Sequence, residues 1–280
     1  MDLCSASELK SLLARHGFRF SKSKGQNFLI APWVPEDIAA AAGVDGTCGV
    51  VEVGPGVGPL TCQLARRAGR VAAVELDRDL FPILAETLAG YDNVQIVEGD
   101  ILKTDIPALV AERLPGLTPI ACANLPYNIT SPALSALIEA GCFASITVMI
   151  QREAALRVCA RPGTADYGAF SVYCQYHTKP ELLFEVPPEC FMPAPKVTSA
   201  VVRLVPRPRP EEVDDPAHFF KVVRGAFGQR RKTLANALSA VFGDKTAIAA
   251  ALESCGLPPD IRGERLSIPE FAALSKAMRE

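Results

Sequence analysis

Asn124-Leu125-Pro126-Tyr127 sets a carboxamide, a proline and a ring directly after an apolar run, Pro119 to Ala123. The run reads as a buried strand. A strand that stops on Asn, with Pro two residues on, leaves the amide side chain and nearby carbonyls without ladder partners. In an open α/β sheet, ligands sit at the carboxyl ends of the strands. A carboxamide acceptor beside a stackable ring suits an exocyclic amine on a flat base.

A second constellation is Val51-Glu-Val-Gly54-Pro-Gly56-Val-Gly58, between an apolar run and a helical stretch. Glycines there let the backbone approach a ligand, and the helix start offers free N–H groups. The same glycines would also serve a plain tight βα turn. Two acids accompany them. Glu75 closes the next apolar run about twenty residues on, where a carboxylate accepts from ribose hydroxyls; a surface carboxylate is the alternative. Asp100 closes the run after that, within Glu-Gly-Asp, where an acid could take the amino group of an adenine. A Gly-rich turn, Glu75 and Asp100 at three successive strand ends fit a nucleoside lying across the sheet. The glycine spacing is one residue short of the dinucleotide pattern, which favours S-adenosylmethionine over a nicotinamide cofactor.

The elements that must position these residues follow from periodicity. Apolar runs begin near Gly49, Val71, Val94, Pro119 and Ile146, with helical stretches between them. This alternation predicts βαβ units and a parallel sheet covered on both faces. Before it, residues 5–17 carry Leu9, Leu12, Leu13 and His16 at helical spacing and stop at Gly17. A basic, aromatic loop over 18–29 follows, then a short helix after Pro35. Residues 171–186 and 197–205 read as strands forming an antiparallel edge. Pro206-Arg-Pro-Arg-Pro210 reads as a linker. Residues 215–280 read as helices: Asp215-Pro216 as cap and first-turn proline, Phe219, Val222, Val223, Ala226 and Phe227 as one stripe, and Ser267-Ile-Pro-Glu270 as a capping box. The expected fold is α/β, a Rossmann-like sheet with an antiparallel edge, plus a small all-helical C-terminal domain. The expected division is 1–208, with residues 1–30 as an N-terminal segment of that domain, and 209–280.

Composition narrows the class. Of 280 residues, 49% are hydrophobic and 21% charged, which suits a globular chain and not a disordered one. No window reaches the length of a membrane span, and the first thirty residues lack a secretory apolar segment. Nine cysteines, none closer than fourteen residues to another, include no Cys-x-x-Cys, and the three histidines are scattered. No metal site is expected, and the chain reads as reduced and cytoplasmic. The net charge of −2 hides an asymmetry. Residues 1–30 hold five Lys/Arg against two acids, residues 31–195 ten against nineteen, and residues 196–280 fourteen against ten. Basic ends around an acidic middle suit a polyanion gripped by the termini, although a mixed solvated surface gives the same count. Arg230-Arg231-Lys232 is open to both readings, and the N-terminal loop is equally open between linker and functional segment.

Four motifs in register then resemble a known family: Gly25-Gln-Asn-Phe-Leu29, Glu52-Val-Gly-Pro-Gly-Val-Gly58, Asn124-Leu-Pro-Tyr-Asn-Ile129 and Phe191-Met-Pro-Ala-Pro-Lys-Val-Thr-Ser199. Together with Phe227-Gly-Gln-Arg-Arg-Lys-Thr-Leu234 and Arg262-Gly-Glu-Arg-Leu-Ser267, they are similar to the KsgA/RsmA family of small-subunit ribosomal RNA adenine N6,N6-dimethyltransferases. The resemblance implies a class I S-adenosylmethionine-dependent methyltransferase. It implies that Asn27 and Leu29 close over the cofactor as a lid, and that Gly54 and Gly56 approach its methionine end. Glu75 would meet the ribose, Asp100 the adenine, and Asn124 the junction of cofactor and target. Asn124, Leu125, Pro126 and Tyr127 would hold the amine, with Phe191 as the second stacking face; a core role for Phe191 stays open. Lys22, Lys24, Lys196, Arg230, Arg231 and Lys232 would contact RNA. The implied partner is 16S rRNA in a late small-subunit assembly particle, modified at two adjacent adenosines in a loop near its 3′ end; the sequence carries no evident oligomer signal, so a monomer is expected. The large-subunit methyltransferases of macrolide resistance typically carry Asn-Ile-Pro-Tyr, and DNA adenine methyltransferases a doubled proline. A non-enzymatic assembly factor on the same fold would have degraded cofactor positions, whereas Gly54, Glu75, Asp100 and Asn124 are intact.

Overall fold

The computed structural model describes residues 2–19 and 26–279. Lys22 and Lys24 lie outside the described residues. Contacts divide the chain into two units: Met1–Ala155 with Pro180–Pro206, and Leu156–Lys179 with Arg207–Glu280.

The first unit is the sheet. Helix α1 (Ala6–Arg15) buries Leu9, Leu12 and Leu13, and the chain leaves it through Gly17 in the left-handed region. Strand β1 (Phe28–Leu29) and helix α2 (Trp33–Ala41) follow; the helix begins two residues before Pro35, which is buried in its first turn. The chain then alternates β2 (Cys48–Val53), α3 (Pro59–Ala65), β3 (Arg70–Glu75), α4 (Phe81–Thr87), β4 (Val94–Glu98), α5 (Ile106–Arg113), β5 (Thr118–Asn124), α6 (Thr130–Glu139) and β6 (Ser145–Gln151). Helix α7 (Arg152–Cys159) crosses the boundary between units. Strands β7 (Thr178–Val186), β8 (Phe191–Met192) and β9 (Ser199–Pro206) complete the set among the described residues.

The seven-stranded sheet runs β4-β3-β2-β5-β6-β9-β7. Strand β2 is parallel to β3 on one side and to β5 on the other, with Val51 opposite Ala72 and Ala121. All six residues of β2 are buried, as the continuous apolar run requires of a strand covered on both faces. The order reverses around β2, which opens a crevice at the carboxyl ends of β2 and β5. Strand β9 runs antiparallel to β6, with Ser199 opposite Gln151, so the expected antiparallel edge is present. A separate two-stranded sheet pairs β1 with β8, Leu29 opposite Phe191 and Phe28 opposite Met192.

The segment 171–186 differs from expectation. Its first part is helix α8 (Ala169–His177), and the strand begins only at Thr178. Val172, Tyr173 and Tyr176 favour strands by type, but the Gly168 N–H donates to Ser171 Oγ at 3.0 Å and starts a helix. The aromatic spacing then suits that helix, with Tyr173 against both Phe170 and His177 at ring separations of 6.0 and 4.9 Å.

Helix α8 belongs to the second unit with α9 (Pro216–Gly228), α10 (Leu234–Phe242), α11 (Lys245–Ser254) and α12 (Ile268–Ala277). Tyr176 packs on Phe219 and Phe220 of α9, and the Tyr167 hydroxyl donates to the Leu266 carbonyl at 2.9 Å. Residues 156–179 therefore pack with the C-terminal helices, whereas the expected division placed them with the sheet. The two caps form: Asp215 Oδ1 accepts from His218 N at 3.0 Å, and Ser267 and Glu270 bond each other's backbone amides.

Candidate functional site

A cavity of about 220 Å³ opens at the carboxyl ends of β2, β3 and β5, bordered by the β1 segment and the turn after β4. Its floor is the turn after β2. Gly54 and Gly56 have φ of +66° and +61°, a conformation that L side chains rarely adopt. A Cβ on Gly56 would sit 3.2 Å from the Phe28 ring, so the turn and the N-terminal segment meet closely where the side chain is missing.

Three acids line this floor. Glu75, at the end of β3, is 7% exposed. Its Oε1 accepts from the Asp77 amide at 2.8 Å and its Oε2 from the Gly56 amide at 3.4 Å. Burial pushes the Glu75 carboxyl above its ordinary range; the Asp77, Gly56 and Leu76 amides pull it back, and the Asp77 charge adds to the rise. Asp77 is itself buried and accepts from Gln26 Nε2 at 2.7 Å. Glu52, within β2, is 1% exposed, and burial pushes its carboxyl up to about 8, with Glu75 contributing repulsion. The Thr61 hydroxyl acts in the opposite direction from nearby, yet among the described residues neither Glu52 Oε2 nor Thr61 Oγ1 has a hydrogen-bond partner of standard geometry. Asp100, after β4, borders the same cavity, its Oδ1 accepting from the Leu102 amide at 3.0 Å.

The opposite wall is the loop after β5. Leu125 is buried and its amide donates to the Met149 carbonyl at 3.1 Å, continuing the ladder one residue past the strand. Asn124 reaches the cavity, and its side-chain amide has no hydrogen bond among the described residues. The Pro126 ring lies 3.7 Å from where a Gly54 Cβ would stand, so the two loops face each other closely. The Pro126 carbonyl already accepts from the Ile129 amide at 3.2 Å and from the Thr130 hydroxyl at 3.4 Å, which it shares with the Tyr127 carbonyl. Tyr127 is half-buried at the rim, with its hydroxyl 2.6 Å from Ser199 Oγ. Burial pushes the Tyr127 phenol up, and the Ser199 bond opposes it.

The expected residues thus divide. Asn27, Leu29, Gly54, Gly56, Glu75, Asp100, Asn124, Leu125, Pro126 and Tyr127 all border one cavity. Phe191 does not. It is 2% exposed, and its pairing with Leu29 draws the ring into the apolar core beside Cys190 and Val201. Lys196 is exposed on the loop before β9. Arg230 is exposed in part but committed: its Nη2 donates to the Ala165 and Tyr167 carbonyls at 2.7 and 3.1 Å and lies 3.7 Å from Glu264. That corrects its reading as a free phosphate ligand, whereas Arg231 and Lys232 are exposed. The sequence reading gave no role to Glu52, Asp77, Gln26 or Ser199. A glutamate inside an otherwise apolar strand was the available signal for the first; for Asp77, Gln26 and Ser199 spacing offered none.

Comparison with known proteins shows the family of the chain. The model of the ribosomal RNA adenine dimethylase family matches residues 17–278. The chain belongs to that family. It is 46% identical over 284 residues, 99% of this chain and 97% of the other, to a ribosomal RNA small subunit methyltransferase A of Geobacillus thermodenitrificans. A protein of the same description from Streptococcus pneumoniae is 44% identical, covering all of this chain and 99% of its own. Among solved structures, a dimethyladenosine transferase from Plasmodium falciparum superposes with a TM-score of 0.73 at 25% identity, over 88% of this chain and 95% of that one. The 23S rRNA methyltransferase ErmE superposes at 0.68 and 26% identity, over 91% and 100%. The chain is accordingly an S-adenosylmethionine-dependent rRNA adenine dimethyltransferase.

The cavity of this dimethylase fits that cofactor. A side-chain-free turn admits a close backbone approach, buried acids suit a ligand carrying positive charge, and the unpartnered Glu52 oxygen awaits a donor. The cofactor, when bound, supplies an electrophilic methyl on a sulfonium.

The Tyr127–Ser199 bond yields a prediction. Tyr127→Phe keeps the ring but leaves the buried Ser199 hydroxyl without this partner, which should cost about 1 kcal/mol of stability in urea denaturation. An unchanged midpoint would show that the bond contributes nothing net.

Proposed function

We propose that this dimethylase methylates N6 of two adjacent adenosines in a loop near the 3′ end of 16S rRNA, acting as a cytoplasmic monomer on a late small-subunit assembly particle. The observation that carries the reading is the close facing of two loops, Gly54–Gly56 and Asn124–Tyr127, across one cavity. The small-subunit assignment draws support from the descriptions of relatives that match over nearly the full chain.

Adenine N6 is a weak nucleophile because its lone pair is delocalised into the ring. In this reading the Asn124 carboxamide oxygen accepts from the amine and draws it out of the ring plane, which frees the lone pair. The Pro126 carbonyl already accepts from the Ile129 amide and from the Thr130 hydroxyl, so to serve as the amine's second acceptor it would have to give up the weaker Thr130 bond. Tyr127 offers a ring face at the rim, and stacking there offsets the cost of extracting the base, roughly 1–3 kcal/mol per base. Phe191 in its buried position supports β1 from beneath, and Tyr127 takes the stacking role. Asn27 and Leu29 hold the cofactor side, Gly54 and Gly56 its methionine end, Glu75 the ribose and Asp100 the adenine. Alignment supplies much of the rest, with reacting atoms about 3–3.5 Å apart. The segment 209–280 is the rRNA-binding part, joined by Lys22, Lys24 and Lys196; Arg231 and Lys232 contact phosphates, and Arg230 holds the loop that presents them.

Unmethylated small and large subunits, offered separately with labelled cofactor and with products resolved, test the reading. Label should enter the small subunit as N6,N6-dimethyladenosine at two neighbouring positions; label in the large subunit would overturn the assignment. In the same assay Asn124→Ala should lose about 10²-fold or more, the scale of a lost transition-state hydrogen bond, while near-normal transfer would remove Asn124 from the amine role. Arg231→Glu with Lys232→Glu should weaken particle binding and lower its salt slope by about 1–2. An unchanged slope would mean that those side chains are merely solvated.

A further inference from the structure

Glu52 has no part in the scheme above, yet its surroundings are unusual. It lies in the interior strand β2, flanked by β3 and β5, and borders the cofactor cavity. From β3 it faces Glu75, whose charge acts on it. From β5 it faces Cys122, a fully buried thiol pushed up by burial and further by Glu52. From α3 come Thr61, with its unpartnered hydroxyl, and Cys62, on which Glu52 also acts. Arg66 of the same helix region pulls on Cys62 but contributes nothing resolved to Glu52. Asp77, beyond β3, adds its charge to Glu75. Every charged neighbour acting on Glu52 is therefore an acid; only the nearby Thr61 hydroxyl opposes them, and the buried Oε2 has no donor of standard geometry among the described residues.

Two carboxylates at such a place cannot both ionise cheaply in a dry cavity wall. Glu75 accepts two backbone amides, whereas Glu52 has only the nearby Thr61 hydroxyl to oppose its burial, so Glu52 is the one that keeps its proton at neutral pH. A ligand bringing net positive charge into the cavity supplies what the protein withholds.

We propose that Glu52 is the residue by which the cavity distinguishes the cationic methyl donor from its neutral-sulfur product, by giving up a proton when the donor binds and regaining it when the product leaves. The inference rests on the cofactor class stated above. The charges balance. Glu52 goes from carboxyl to carboxylate, with the proton passing to solvent, as the donor enters with one net positive charge. Methyl transfer removes the sulfonium charge, and the methylated amine sheds one of its own protons. Glu52 then takes a proton from solvent as the product departs, so its release and recapture cancel over the cycle. The free protein binds the proton and the donor complex does not, so donor affinity rises with pH up to about 8, where free Glu52 ionises. The rise is at most about tenfold per pH unit. Product affinity stays nearly level, and discrimination falls as pH falls.

Calorimetric titration at pH 7 in phosphate and in Tris, whose ionisation heats differ, counts the protons. S-adenosylmethionine should release close to one proton from the wild-type chain, and S-adenosylhomocysteine distinctly fewer. Glu52→Gln, a neutral isostere of a neutral group, should bind both ligands with no such difference. Equal release by both ligands, or release that persists in Glu52→Gln, overturns the proposal. The dissociation constants of the two ligands for the wild-type chain from pH 6 to 8 decide it independently of that variant's folding. A parallel pH dependence for both would overturn it. Failure of the wild-type chain to bind either ligand would overturn the cofactor reading itself, whereas binding without proton release overturns only the role of Glu52.

Discussion

The Glu75 carboxylate accepts from the amides of Asp77 and Gly56 and so ties the end of one parallel strand to the turn after its neighbour. Backbone amides past a strand end have lost their ladder partners, and buried ones must find others. Here one carboxylate answers two of them. The tie holds the glycine turn in its positive-φ shape at the point where the sheet order reverses, and that places an open, side-chain-free surface beside the loop after β5. The absence of a Cβ at Gly56 lets Phe28 lie close over it without shifting, and Phe28 is held there by the pairing of β1 with β8. The arrangement also crowds acids together, since Glu52 and Asp77 share the same floor.

The sheet was legible because buried parallel strands have no polar face to interrupt them. The runs from Gly49, Val71, Val94, Pro119 and Ile146 emerged as β2 to β6 with starts within a residue, while Asp100, read as closing the third run, falls two residues beyond the end of β4. Cavity-bordering positions at those strand ends were legible for the same reason, as each stands where an apolar run stops. Residues 171–177 misled because Val, Tyr and Phe favour strands, while the deciding feature was a single Gly168–Ser171 bond at the helix start. Arg230 and Phe191 were misplaced for a common reason. Their environments are made by segments distant in sequence: the carbonyls of Ala165 and Tyr167 for one, the pairing with Leu29 for the other. The Tyr127–Ser199 bond spans 72 positions and leaves no trace in local spacing.

The second unit shows a different economy. Its aromatic helices pack through Tyr176, Phe219 and Phe220, and its loops are joined by side chains that bond carbonyls, Tyr167 to Leu266 and Arg230 to Ala165. A cation spent on holding a loop is not available to a phosphate, so neighbouring cations differ in kind although they are adjacent in sequence. In the proposed function this separates the two tasks of recognition. The loop after β5 selects an amine on a flat base, and exposed cations such as Arg231 and Lys232 select the polyanion that carries it.

The measurement that bears most directly on the shared cavity is a crystal structure of this chain with S-adenosylmethionine bound. The account expects the methionine end over Gly54 and Gly56, the ribose hydroxyls within hydrogen-bonding distance of the Glu75 carboxylate, the adenine beside Asp100, and the methyl directed at Asn124. A ligand bound elsewhere, or one in this cavity with its methyl turned away from Asn124, would contradict it.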